Sequence, residues 1–206
     1  MHSPTNLSES EVPQKLPLWL SWTIASAFAA GLAGLIQGIL FANPQIPGLV
    51  WVGPLLGAPI VGLLQGVALR SHLRRARAWA KASAIGLLAG LAAGGLLFLL
   101  GSQFSLGGSL VLLGFPIAAA IQGAFQARVL RSRVSQPNRW IFICALAWLI
   151  NLVPMIFWGV IMLNLAEQSL AGYWFMTGFL NGGLVGLIRG IGLSLLLYPP
   201  SPRSRG

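Results

Sequence analysis

The sequence predicts an all-α polytopic membrane protein with six transmembrane helices arranged as three repeated helical hairpins. Three observations predict it. Apolar residues make up 56 % of the chain and charged residues 8 %, a balance that ordinary soluble domains do not show. Six apolar stretches, at about 17–41, 49–70, 80–101, 107–130, 140–164 and 173–198, reach the roughly 20 residues that a helix needs to cross a hydrocarbon core. A block inside every second stretch recurs without a gap, as repeated units do. Backbone polar groups in lipid must be satisfied within the segment, and the alternating pattern of a membrane barrel is missing, so helices are the expected form.

The first stretch carries Ser26, Ala30, Gly34 and Gly38 at spacing four. Residues so spaced share one helix face, and small residues there let a second helix approach closely in a membrane. The second stretch has Ala58, Gly62 and Gly66, and the third Gly86, Gly90 and Gly94. The fourth is weaker, with Ala119, Gly123 and Ala127. The fifth has no such stripe and is bulky at Trp148, Phe157 and Trp158, so it is expected at the periphery of a compact bundle. The sixth has the longest stripe, Gly178, Gly182, Gly186 and Gly190. Pro59 and Pro116 fall inside their stretches. Each removes a backbone hydrogen bond and is expected to kink its helix.

The repeated block reads Leu55-Leu56-Gly57-Ala58-Pro59-Ile60-Val61-Gly62-Leu63-Leu64-Gln65-Gly66 in its first copy. The second runs from Leu112 to Gly123 and the third from Phe179 to Gly190. Pro59, Pro116 and Gly183 correspond, as do Gln65, Gln122 and Arg189. Three polar side chains therefore fall at one depth of three equivalent helices. Gln37 is a fourth buried amide, at a different depth because its helix runs the other way, and Asn181 lies in the outer half of the sixth helix. An amide in hydrocarbon is expected to hydrogen-bond across helices. Arg189 is the one charge inside a long apolar run. A central Arg costs on the order of 3 kcal/mol to insert and marks a functional site by default, unless it snorkels to the headgroups. No helix carries an acid to neutralise it. The candidate ligand or interhelical cluster is therefore Arg189, Gln65, Gln122, Gln37 and Asn181. Asn151 and Asn164 add polarity to the fifth helix.

The net charge is +10, there is no Asp, and the acids are Glu9, Glu11 and Glu167. The basic residues lie between apolar runs, which makes them topology signals rather than a nucleic-acid surface. Arg70, Arg74, Arg75, Arg77 and Lys81 occupy one connection, and Arg128, Arg131, Arg133 and Arg139 another. The connections at 43–48 and 102–106 carry no charge. Basic loops stay cytoplasmic, so both termini are expected there. Residues 1–16 form a polar tail without the basic start of a signal peptide. Residues 17–198 form the membrane domain, with hairpins at 17–70, 80–130 and 140–198, and 199–206 form a basic tail. Trp19, Trp22, Trp51, Trp79, Trp140 and Trp174 cluster near segment ends, where indoles favour the membrane interface. Trp148 and Trp158 fall deeper, against neighbouring helices.

Catalysis needs a constellation, and none is present. No His lies in a membrane stretch and no acid in a helix, so metal hydrolysis, aspartyl chemistry and a Ser-His-Asp site lack members. Cys144 is the only cysteine and builds neither a disulfide nor a thiolate metal site within one chain. His72 stands alone and exposed. No enzyme activity, metal or cofactor is expected. The leading expectation is a structural or accessory membrane protein, binding a protein partner, a further copy of itself or lipid through Gly-lined faces and basic loops. The alternative is a small-molecule transport component, such as the substrate-capture subunit of a vitamin importer. Its six-helix size fits, and Ala25-x-x-x-Ala29 would dock a coupling subunit.

The stretch Gly62-Leu63-Leu64-Gln65-Gly66-Val67-Ala68-Leu69-Arg70 followed by Trp79, and Gln122 followed by Trp140, resemble a group of small polytopic bacterial membrane proteins, many of them cyanobacterial. Their helices repeat Gly-x-x-Gln-x-x-x-x-Arg endings. The resemblance covers most of the chain. It implies the fold and a location in the bacterial inner membrane or the thylakoid membrane, and it carries no activity.

Overall fold

A computed structural model of the chain describes residues 16–42, 49–103, 107–161 and 169–199. These residues form six helices and no strand. They are α1 (Leu18–Phe41), α2 (Leu49–Ala68), α3 (Ala76–Gln103), α4 (Gly107–Leu130), α5 (Arg139–Ile161) and α6 (Leu170–Leu197). Both polar tails, the connection at 43–48, Asn164 and Glu167 lie outside the described residues. Four helices are long and apolar enough to cross a membrane: Leu18–Phe41, Ala76–Gly101, Arg139–Phe157 and Leu170–Leu197. In α2, Leu55–Ala68 counts as a shorter apolar helix.

Among the described residues, each helix packs on its two neighbours in the chain, α6 packs back on α1, and no other pair of helices brings its backbones together. The six helices therefore close a ring. Glycine makes the closure tight. A Cβ added at Gly38 would stand 2.6 Å from Ala171 Cα, and one at Gly190 would stand 2.8 Å from the Trp19 carbonyl. Gly34 and Gly178 are in direct contact with backbone of the facing helix, at Trp174 and Ala30. The same device joins α3 to α4 through Gly86 and Gly90 and α2 to α3 through Gly62 and Gly66. Gly182 and Gly186 extend the α1/α6 seam to Ser26. The small-residue stripes are thus spent inside the chain, where backbones touch as small-xxx-small packing permits.

Helix α5 stands in the ring between α4 and α6, with Ile143 seated on Gly192, and its seam with α6 is the sparsest in the ring. Two expectations need correction. Trp22, Trp79 and Trp140 are fully buried rather than placed at an interface. Ala29 is fully buried as well, so Ala25-x-x-x-Ala29 offers no docking face. Helices α2 and α4 run unbroken through Pro59 and Pro116. Pro154 lies inside α5 in the same way.

Candidate functional site: a lumen with a polar floor

The backbones of the odd-numbered helices stay apart, yet their tryptophans meet. Trp22, Trp79 and Trp140 come from α1, α3 and α5. Their ring centroids are 5.5, 6.2 and 5.7 Å apart, at interplanar angles of 83°, 82° and 60°. Side chains from alternate members of a ring can meet only on its axis. The three indoles therefore fill the axis, and Leu69, Leu130 and Leu193 pack with them into the main apolar cluster. Edge-on aromatic contacts of this kind favour a defined geometry. This plug stands at the end of the ring that also carries the basic connections.

A hydrogen-bond relay braces the plug. Trp140 Nε1 donates to Gln126 Oε1 at 2.8 Å, and Gln126 Nε2 donates to Ser83 Oγ at 2.8 Å. Ser83 Oγ donates in turn to Gln65 Oε1 at 3.3 Å. The relay ties α5, α4, α3 and α2 together, and all four residues are nearly or wholly buried. Gln126 is absent from the cluster expected from sequence. The signal for it is its place four residues after Gln122, one helical turn along the same face. A second overlooked signal lies in the odd helices. Trp22, Trp79 and Trp140 each precede a small polar residue, Ser26, Ser83 and Cys144, by four positions.

Away from the plug the ring encloses a cavity of about 390 Å³, to which all six helices contribute. That volume falls within the usual range for small-molecule sites. Arg189, Gln65, Gln122, Gln37 and Asn181 all line it, so the five expected polar residues do converge. Arg189 sits at the plug end, where its neighbour Gly190 touches Trp19 and Trp22. It is 4 % exposed and does not snorkel. Its Nη1 donates to Gln122 Oε1 at 3.0 Å, while Nε and Nη2 meet no acceptor. Gln37 lies toward the opposite end against Gly53, as its reversed helix direction implies, and both its amide atoms are buried without a partner. Asn181 donates to the Thr177 carbonyl at 2.8 Å, and its Oδ1 is unpaired. Ser26 and Thr177 add two buried hydroxyls without partners, and most of the remaining wall is apolar, from residues such as Leu87, Leu91, Val61, Met155 and Trp148, the last stacked on Phe115 at 5.3 Å.

Donors outnumber acceptors at the floor of this lumen. Besides Arg189 Nε and Nη2, the indole N–H groups of Trp22 and Trp79 are buried without partners in the adjoining plug. None of the described helices contains an acid, so among the described residues no carboxylate offsets the guanidinium charge. An unpaired buried charge is among the most costly groups a protein can hold.

The basic residues Arg70, Arg74, Arg75, Arg77, Arg128, Arg131 and Arg133 are all exposed. The Arg128 guanidinium lies 5.2 Å over the Phe125 ring. His72 is not alone: its Nδ1 is 3.1 Å from the Tyr198 hydroxyl, which links the α2–α3 connection to the end of α6. Cys144 is buried beside Gln126 and Gly123. Comparison with known proteins finds no matching family, no matching curated protein and no matching solved structure, so the resemblance at the repeated block rests on its residues alone.

Proposed function

We propose that this chain is an integral membrane protein that holds a small anionic molecule in the lumen of its helix ring, the role of a capture or transport component. One observation carries this: Arg189 is buried in a cavity of ligand size with guanidinium Nε and Nη2 unused and no carboxylate in reach among the described residues. An anion placed there would accept from those groups in charge-assisted bonds and offset the buried charge. A purely accessory role draws less support, because the glycine faces that would receive a partner are occupied within the chain. The exposed arginines at the plug end remain a surface for headgroups or an acidic partner.

In the same reading the chain crosses the membrane six times as three hairpins, with both termini and the basic connections on the cytoplasmic side. The hairpin repeat draws support from the meeting of Gln65, Gln122 and Arg189 on one lumen and of Trp22, Trp79 and Trp140 on one axis. The plug would then close the lumen toward the cytoplasm.

The experiment is a native mass spectrum of the protein taken from its source membrane into mild detergent, beside the Arg189→Gln variant. A small adduct at one per chain in the natural protein, lost in the variant, is the expected result. An adduct that persists in the variant, or a stoichiometric protein partner, would move the assignment to an accessory role.

A further inference from the structure

The seams of the ring are not equally tight. Helix α2 closes on α3 through Gly62 and Gly66. Beyond them the glycines of the two helices face other neighbours. Gly53 and Gly57 of α2 meet Gln37 and Ala33 of α1, whereas Gly90 and Gly94 of α3 meet Ala118 and Gly114 of α4. Along α3, with Leu55 of α2 on its edge, lies a groove of about 550 Å³ whose wall includes Leu88 and Leu96. Leu55 and Leu96 are 53 % and 58 % exposed, so the groove faces outward from the ring. Leu91 lines both the groove and the lumen. The charged chamber and an apolar groove on the side of the bundle therefore share Leu91 as a common wall residue. The far half of the α4/α5 seam differs, because Phe115 stacked on Trp148 fills it.

Resting on the reading of the lumen as a ligand site, we propose that the ligand is a single-chain anionic amphiphile. Its acidic head sits on Arg189 and its apolar tail passes Leu91 into the α2/α3 groove. The chemistry of the two spaces is what selects it. The lumen supplies unused donors and one uncompensated positive charge at its floor. The groove supplies only hydrocarbon, a surface that a tail or lipid fills favourably and that a polar solute does not. A head and tail held together match both at once. A small hydrophilic anion would leave the groove unused, and a neutral lipid would leave Arg189 unpaired. The groove also provides a path from the bilayer to the lumen that leaves the tryptophan plug in place.

The test uses the full-length protein in phosphatidylcholine nanodiscs, with cis-parinaric acid and its methyl ester as probes, read by energy transfer from protein tryptophan. The acid binds at least about tenfold more tightly than the ester, the worth of a charge-assisted hydrogen bond. Arg189→Gln removes that preference and Arg189→Lys retains most of it. Ala92→Phe, which fills the groove outside the lumen, weakens the acid at least about tenfold while leaving octanoate's thermal stabilisation unchanged. Melting curves without ligand check that each variant folds. Equal binding of acid and ester overturns the placement of the head, and an unaffected Ala92→Phe overturns the route of the tail. If octanoate stabilises through Arg189 while parinaric acid does not bind, the amphiphile is overturned and the lumen remains a ligand site. If neither binds, both assignments fall.

Discussion

Arg189 and Gln122 are 67 residues apart in the chain and 3.0 Å apart across the lumen. Their helices, α6 and α4, are not neighbours in the ring, so this bond bridges the cavity floor instead of sealing a seam. Arg189→Gln should therefore fold well. It replaces an uncompensated buried charge by the amide that the other two repeat copies carry, and such changes are often neutral or stabilising. We expect a melting shift in detergent of less than about 4 °C, or roughly 1 kcal/mol. A collapse of the melting transition would make Arg189 a structural anchor.

Gln122→Leu tests the other partner and has the opposite outcome. It leaves the guanidinium with no acceptor and should cost about 1–3 kcal/mol. Adding Arg189→Gln to it should recover most of that loss, because the orphaned charge is then gone. Additive losses in this double-mutant cycle would mean that the two residues act independently.

The positions of the helices were legible in hydropathy, and aligning the three similar blocks singled out Gln65, Gln122 and Arg189, which line one cavity. The closure of α6 on α1 was not legible. It joins the two ends of the chain, and a glycine stripe says that a helix is approached closely without naming the helix. The tryptophans misled for a related reason. An indole near a helix end suits either a membrane interface or a ring axis, and only the meeting of Trp22, Trp79 and Trp140 decides between them. Gln126 escaped notice because its equivalents are Leu69 and Leu193, so the repeat pattern marks its position as apolar.

That hub makes its own prediction. Gln126→Leu removes the acceptor for the Trp140 indole and the donor to Ser83. The expected loss is about 1–3 kcal/mol, above the ~0.6 kcal/mol average of one interhelical bond in a membrane protein. Trp140→Phe in the same background should add little further loss. Unfolding in mixed micelles would measure both.

The glycines separate into those where a Cβ would clash with facing backbone and those where it would fit. A Cβ at Gly34 or Gly178 meets backbone of the facing helix, which cannot step aside. Alanine at either should destabilise by about 1–3 kcal/mol, as overpacking does. A Cβ at Gly94 would find its nearest neighbour 4.0 Å away, and one at Gly183 would sit 3.6 Å from Ala27 Cβ. Alanine at those two positions should be neutral or slightly stabilising, since glycine weakens a helix interior. Equal losses at all four would show that helix propensity, not contact, sets the cost.

Cys144 supplies a probe of the tryptophan plug that needs no engineering. It is the only cysteine, it is fully buried, and it lies one helical turn from Trp140 on α5, with its sulfur 3.9 Å from Gln126 Oε1. A small uncharged maleimide should label it only on unfolding. Trp22→Ala removes one of the three axial indoles. Such a truncation costs about 3–5 kcal/mol and leaves a void, because neighbours in a close-packed interior relax only in part. Labelling of Cys144 in the folded variant should then rise by an order of magnitude or more, since reactivity follows access to the thiol. Trp19→Ala serves as the control, because Trp19 is 40 % exposed on the same helix and takes no part in the triad. Labelling that rises equally in both variants would mean that general loosening of α1, rather than loss of the plug, admits the reagent.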